Sequence, residues 1–332
     1  MPGRLSGRPV TPYRFELAKS FNSLSLVLQS AGELRDAEEA LGQAQGLYEK
    51  LVAEFPTVPE YRQELARSLN NRGPLLLDTD RRAEFEGPCR RALSLQEQLV
   101  ADFPTVPEYR RDLGVSCHNL GMLLQLTGQP QPAEMAYRQG LAVRERLVAE
   151  FSGVPDYSSE LATTLSNLGR LLLDGGKPGD ARALLERAME YQRIALKSNA
   201  RHPAYRRFLS HNCQNLALTL LALREHEGAA GAAREMARIF PDQLADAYDA
   251  ACLLARCVPL AEKDARLSEK DQNRLVQQYG DQALELLRTA IRNGFRNAAH
   301  LDQDADFNPL RARADFQEIV TKLKELGQRS GR

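Results

Sequence analysis

Apolar residues recur along this chain with a long and fixed period. A tyrosine followed four residues later by a leucine occurs five times, and each occurrence lies 48 residues beyond the previous one. Periods of about 20–50 residues are typical of solenoids, in which each repeat buries its apolar face against its neighbours. The pattern therefore predicts five stacked repeats, marked by Tyr13, Tyr61, Tyr109, Tyr157 and Tyr205 and by Leu17, Leu65, Leu113, Leu161 and Leu209.

The spacing inside one repeat predicts two helices. In the third repeat, apolar residues recur at three- and four-residue intervals from Tyr109 to Leu124, as on one face of a helix. Gly128 is expected to end this helix, and a second apolar face runs from Ala133 to Leu147. No run alternates between apolar and polar residues over the length of a strand. The fold class is therefore predicted to be all-α.

Prolines mark the boundaries between repeats. The linker phrase 55–59 reads Phe-Pro-Thr-Val-Pro, and the phrase 103–107 is identical. Because proline disfavours helix in the residue before it, each phrase predicts a break between helices. We expect residues 1–10 to form a leader, 11–240 five helix pairs, 241–293 a sixth and divergent pair, and 294–332 a C-terminal cap.

Small residues on both helices of a pair indicate a close approach between them. Gly121 on the first helix is followed by Ala133 and Gly140 on the second, 12 and 19 residues later, and Gly169 is followed in the same way by alanines. This pattern resembles the tetratricopeptide repeat, although the period is longer than the usual length of about 34 residues. HEAT and armadillo repeats have a similar period but not this spacing of small residues. The resemblance implies a helix-pair solenoid that winds as a right-handed superhelix.

The second repeat departs from this pattern. Arg72 and Pro74 are expected to interrupt its first helix, and Gly87 and Pro88 its second helix. Proline inside a helix costs about 3 kcal/mol or more, so we expect this repeat to be kinked and locally the least stable.

Two longer segments resemble a narrower group of proteins. The linker Phe-Pro-x-Val-Pro-Glu-Tyr-Arg and the tail from His300 to Arg311 are similar to the tetratricopeptide region that follows the catalytic domain in planctomycete-type serine/threonine protein kinases. The resemblance extends over roughly residues 10–326. It implies a region that recruits or regulates proteins for a kinase domain.

Composition excludes several other classes of protein. Lys and Arg total 44 residues and Asp and Glu also total 44, so no net charge favours nucleic acid or an anionic membrane. No apolar run approaches the roughly 20 residues that span a bilayer, and the first eleven residues lack the apolar core of a signal peptide. A cytoplasmic location is expected. The five cysteines lack C-x-x-C spacing and are expected to be small buried residues rather than disulfide partners.

The sequence also lacks the motifs that would predict catalysis. It contains neither the glycine-rich loop nor the His-Arg-Asp and Asp-Phe-Gly motifs of a kinase, and it has no Walker A motif or hydrolase elbow. Its five histidines show no metal-binding spacing. We therefore expect a protein that is not an enzyme and has no cofactor and no metal site.

Polar residues at one position of the first helices form the candidate binding site. Asparagine stands two residues before the glycine position in four repeats, with Ser23 in the first, and polar residues also precede these positions. The arrangement resembles the asparagine ladders of kinesin light chain and O-GlcNAc transferase repeats, which hold extended peptides. Alternatively, these amides bridge adjacent helices. The candidate residues are Asn22, Asn70, Asn71, His118, Asn119, Ser166, Asn167, Gln214 and Asn215.

Two functions are compatible with these observations. The leading hypothesis is a scaffold that binds proteins or extended peptide segments in the concave groove of the solenoid. The alternative is the regulatory or substrate-recruiting tail of a serine/threonine protein kinase, separated from its catalytic domain. In either case the apolar residues Leu17 and Leu24 on the first helix are expected to be left uncovered, which predicts self-association or poor solubility.

Overall fold

The computed structural model describes residues 10–77 and 81–330, and within these ranges it contains α-helices and short 3₁₀ helices but no β-strand. This confirms the predicted all-α fold. The chain divides into two compact units, residues 1–157 and 158–332. Among the described helices, none is long and apolar enough to cross a membrane.

The first unit is built from helix pairs joined by short turns. Helices α1 and α2 form the first pair, α3 and α5 form most of the second, and α6 and α7 form the third. Each first helix also packs against the preceding pair, so the apolar face of α3 is buried against α1, α2 and α5. The helices are α1 (Val10–Ser30), α2 (Leu34–Glu54), α3 (Pro59–Asn70), α4 (Arg72–Leu77), α5 (Glu86–Asp102), α6 (Pro107–Leu126) and α7 (Pro130–Glu150).

The second unit continues the same plan and ends in a layer of shorter helices. Helix α12 is buried on most sides because α10, α11, α13 and the 3₁₀ helix Ala305–Leu310 all pack against it. Four apolar residues of the last helix, from Phe316 to Leu323, are buried in this core. The helices are α8 (Pro155–Asp174), α9 (Pro178–Ser198), α10 (Pro203–Ala222), α11 (His226–Ile239), α12 (Leu244–Glu262), α13 (Glu269–Arg292), α14 (Ala298–Gln303) and α15 (Ala314–Ser330).

The glycines at the centre of the pairs allow the close approach that the sequence predicts. A Cβ atom on Gly121 would lie 2.6 Å from the ring of Tyr137, and one on Gly169 would lie 2.8 Å from Leu185. The residue that fills the space above each glycine is therefore the large one 16 positions later. Ala133, the small residue predicted 12 positions after Gly121, is fully buried.

The second repeat differs from the others, and one expectation about it was wrong. Its first helix is interrupted as predicted, because α3 ends at Asn70 and only the short α4 follows. Its second helix is not interrupted by Gly87 and Pro88, because α5 begins at Glu86 and both residues lie in its first turn, where the proline nitrogen needs no intrahelical hydrogen bond. The chain before α5 forms a 3₁₀ helix, Arg82–Phe85. The Phe85 ring fills the space above Gly73.

A recurring ion pair closes each helix pair of the first unit. The arginine after the repeated tyrosine bonds an acidic residue at the end of the second helix, and the two partners are 40 residues apart each time. The partners are Arg14 and Glu54 at 2.6 Å, Arg62 and Asp102 at 2.7 Å, and Arg110 and Glu150 at 2.7 Å. In the fourth repeat both positions are serine, Ser158 and Ser198, so this repeat has neither the cation nor its acidic partner.

The cysteines behave as apolar residues. All five are buried and none forms a disulfide. Burial is the main cause that raises the pKa of both Cys89 and Cys117 to about 12, so these thiols stay protonated near neutral pH.

Candidate functional site

All nine candidate residues occupy two adjacent repeat positions near the middle or end of the first helices. In the first unit they belong to α1, α3 and α6, with Asn71 directly after α3, and in the second unit they belong to α8 and α10. They are buried or partly buried, with the side chains of Asn70 and Ser166 most enclosed.

Two asparagines bridge neighbouring first helices. Asn71 donates its side-chain N–H to Asn22 Oδ1 at 3.2 Å, and Asn215 donates to Ser166 Oγ at 3.0 Å. In both cases the donor lies 49 residues after the acceptor, which is one repeat plus one residue. These two amides therefore have a structural use, since each ties a first helix to the one before it. Asn167 also has an interaction partner within the fold.

The same bridge is not formed at Asn119. The equivalent acceptor would be Asn70, but Asn70 donates its amide to Ser116 Oγ at 2.9 Å, and its Oδ1 atom is buried without a partner among the described residues. Asn119 is partly exposed, and its side chain makes no hydrogen bond within the part of the chain that the structure describes. An amide can both donate and accept, so Asn119 can bind a peptide group from another chain.

The candidate residue His118 has an uncharged imidazole ring. It is partly buried against the edge of Tyr137, with ring centroids 5.8 Å apart. Burial, followed by the nearby Arg144 guanidinium, lowers the pKa of His118 to about 3. The ring is therefore uncharged near neutral pH and does not attract anionic ligands.

The last candidate, Gln214, lines a cavity that sequence reasoning did not identify. Its amide donates to Asp249 Oδ2 of α12 at 3.0 Å, and the cavity of about 410 Å³ lies between α10, the end of α11 and the start of α12. Asp246 also lines it and accepts a hydrogen bond from the Ser210 hydroxyl. The sequence signal was present but overlooked: Asp246 and Asp249 lie three residues apart in a helix that is otherwise rich in alanine, leucine and cysteine.

Two other polar clusters of the second unit already have hydrogen-bond partners within the fold. Cys252, Asp304 and Asp306 place possible ligand atoms within 4.8 Å of one another. However, burial and the neighbouring carboxylates raise the pKa of Cys252, which disfavours the thiolate that binds metals, and Asp304 accepts from Tyr248 at 2.7 Å. His226, beside a larger cavity of about 590 Å³, is buried with both ring nitrogens in contact with partners.

Comparison with known proteins supports the repeat assignment. Residues 113–151 and 161–204 match a tetratricopeptide repeat family model. No curated protein matches the sequence. Among solved structures, the apo form of RapI is 13% identical, with 93% of this chain and 97% of that chain covered at a TM-score of 0.52. At this identity the likeness supports the fold alone.

Two further structures are similar over most of their own length. BtubC (BKLC) from P. vanneervenii is 18% identical, with 69% of this chain and 81% of that chain covered at a TM-score of 0.49. A thermophilic tetratricopeptide protein from Thermus thermophilus is also 18% identical, with coverage of 71% and 98% and a TM-score of 0.39. The stacked helix pairs therefore give this chain a helix-pair solenoid fold, and its residues 113–151 and 161–204 match the tetratricopeptide repeat.

Proposed function

We propose that this protein is a scaffold that binds extended segments of other proteins along its first helices. A tetratricopeptide fold supports protein–protein interaction in general. The more specific proposal, that the ladder residues hold the backbone of the bound segment, rests on the open amide of Asn119.

Asn119 differs from its sister residues in a way that suits ligand binding. Asn71 and Asn215 use their amides to bridge first helices, whereas Asn119 makes no such bond within the described residues. An extended peptide offers one N–H and one C=O per residue, and a side-chain amide can pair with both. A ligand would therefore satisfy Asn119 without breaking a bond of the folded protein.

The comparison of Asn119→Ala with Asn71→Ala tests this proposal. A net hydrogen bond contributes about 0.5–1.5 kcal/mol, so Asn119→Ala should weaken binding of a peptide ligand about two- to tenfold and leave stability nearly unchanged. Asn71→Ala should instead lower the free energy of unfolding by about 0.5–1.5 kcal/mol, because it removes the bond to Asn22.

Ligands for this test can be selected from a random peptide library displayed on phage and measured by calorimetry. If Asn119→Ala lowers the free energy of unfolding as much as Asn71→Ala while peptides bind normally, Asn119 is structural and the ladder hypothesis is wrong.

We also propose a more specific use for the scaffold, namely recruitment of partners for a serine/threonine kinase. Its support is the likeness of the linker phrases and of the tail from His300 to Arg311 to kinase-associated repeats. Co-purification of a kinase with the tagged protein from its native host, lost in the Asn119→Ala variant, would support this use. Capture of partners with no kinase among them would contradict it.

A further inference from the structure

We infer that the cavity between α10 and α12 accepts a lysine or arginine side chain of the bound segment. This inference rests on the proposed function and adds a chemical preference to it. The cavity adjoins Gln214, one of the ladder residues, and its volume of about 410 Å³ lies at the small end of the about 300–1,000 Å³ that is usual for ligand pockets.

Two carboxylates form the polar wall of the cavity. Asp246 and Asp249 are three residues apart on α12, so they lie on the same face of the helix. The Ser210 hydroxyl and the Gln214 amide each bond one oxygen of these groups and hold them in place. The second oxygen of each carboxylate has no hydrogen bond within the described residues, and it can accept from an ammonium or guanidinium group.

The electrostatic surroundings favour a cation at this place. Burial, and next the Asp246 carboxylate, raise the pKa of Asp249, and Asp304 and Asp306 act in the same direction. A carboxylate that is costly to ionise when unpaired gains from a cationic partner. The lining also contains the cationic Arg207 and the imidazole of His211, and both side chains lie exposed on α10.

Part of the cavity lining is apolar. Met236 is buried at the end of α11, and Phe240 follows that helix with its ring partly exposed. Lysine and arginine carry a methylene chain behind their charge and commonly lay it along apolar surface. An acidic side chain would be repelled by the two carboxylates. An apolar one would remove water from them without offering a hydrogen-bond donor.

The test compares peptide ligands on three charge variants. Peptides selected from a random phage library against the wild-type protein should include a group with lysine or arginine at one fixed position. In this group, replacing the basic residue by glutamine should weaken binding to the wild type about tenfold. Asp249→Asn should abolish that difference, because it removes the charge while its amide oxygen can still accept from Gln214.

Two matched variants separate this effect from a general change of charge. Asp180→Asn removes the same charge from an exposed residue of α9 and should leave the preference intact. Arg207→Gln removes a competing cation from the cavity rim and should strengthen binding of the basic peptides about two- to threefold. Circular dichroism and melting temperature should show that all three variants are folded.

The outcomes distinguish the inference from the function on which it rests. If peptides bind and depend on Asn119 but show no basic preference, the inference is overturned and the proposed function stands. If the basic preference persists in Asp249→Asn, the assignment to this cavity is wrong. If the wild-type protein selects no peptide at all, both proposals fail.

Discussion

Gln96 and Gln192 occupy the same repeat position and are both fully buried, but among the described residues only the side chain of Gln192 makes hydrogen bonds. Gln192 donates to the Tyr205 carbonyl at 3.0 Å and accepts from the Ser159 hydroxyl at 3.2 Å. Neither polar atom of Gln96 has a partner within the described residues. The residue that corresponds to Ser159 is Gln63, whose amide is instead bonded to Asp112 at 2.7 Å.

This contrast predicts opposite effects of the same substitution. A buried polar group without a partner costs about 1–3 kcal/mol, so Gln96→Met should raise the free energy of unfolding by about 1–2 kcal/mol. Gln192→Met should lower it by about 1–3 kcal/mol, because it removes the hydrogen bonds that Gln192 makes with the Tyr205 carbonyl and the Ser159 hydroxyl. Urea denaturation measures both values. Destabilisation by Gln96→Met would show that its amide is satisfied in solution.

The lowered pKa of His118 predicts a loss of stability in acid. Its pKa falls from an ordinary 6.5 to about 3 in the folded protein, so protonation favours the unfolded chain. The stability that depends on the neutral ring is fully present above about pH 6.5 and is lost as the pH falls toward 3. From about pH 7 to about pH 5 this loss should reach about 2 kcal/mol.

The variant His118→Asn should remove the loss of stability in acid that is due to His118. Asparagine is the residue at the same position in the second repeat. His300→Gln, at an exposed position, serves as the control for the loss of a histidine. Urea denaturation at both pH values gives the comparison. Equal acid sensitivity in the wild type and in His118→Asn would contradict the shifted pKa.

At the scale of the helix pair, the side chain on the second helix is complementary in size to the small residue that it faces on the first helix. Gly121 lies under Tyr137 and Gly169 under Leu185, whereas the fifth repeat has alanine at both positions, Ala217 and Ala233. In the second repeat the ring comes from Phe85. The space between two helices is thus filled differently in each pair while the helices remain close.

This packing predicts that the sign of a glycine-to-alanine substitution depends on its position. Alanine is favoured over glycine inside a helix by about 1 kcal/mol. A methyl group on Gly42 of α2 would have no neighbouring atom within 4 Å. Gly42→Ala should therefore be stabilising by about 0.5–1 kcal/mol. Gly121→Ala would place its methyl group 2.6 Å from the Tyr137 ring and should be destabilising by about 1–3 kcal/mol. Thermal and urea denaturation report both changes. If the two variants shift stability in the same direction, the pair does not need the glycine.

The fold was predictable from the sequence because its causes are periodic. A helix pair needs its apolar residues and glycine at fixed spacings, and these spacings are visible at Tyr109, Gly121 and Ala133. The start of α5 was not predictable in this way. The period placed Gly87 and Pro88 inside a helix, whereas the chain forms a 3₁₀ turn first and delays the helix until Glu86.

The hydrogen bonds of the ladder were less predictable because they depend on rotamers rather than on spacing. The 49-residue spacing of the other two bridges would pair Asn70 with Asn119, but Asn70 bonds Ser116 instead. The cavity beside Gln214 was missed because its carboxylates lie beyond residue 241, where the 48-residue period fails.

At the scale of the whole molecule, the first helix exposes a face that the other repeats bury. Leu17 is 48% exposed and Leu24 46%, whereas Leu65, at the position of Leu17 in the next repeat, is 1% exposed. We expect this face to cause association at high protein concentration. The double variant Leu17→Gln, Leu24→Gln should reduce it without a large loss of stability, since about half of each side chain is already exposed to water.

Sedimentation velocity over a range of concentrations measures this effect. The matched control is Leu126→Gln on α6, which is exposed to a similar extent but does not belong to this face. A wild-type protein that stays monomeric at the highest concentration would contradict the expectation.

The size matching above the central glycines also limits how such a chain can evolve. Duplication of a complete 48-residue segment copies a first helix together with the second helix that fits it, so each copy can pack at once. Exchange of a single helix between repeats would not preserve the fit. If the second helix that carries Tyr137 were paired with the first helix that carries Ala217, the ring would meet a methyl group where it now meets a glycine. The helix pair is therefore the unit that can be duplicated without loss of packing, and recombination between the two helices of a pair should be selected against.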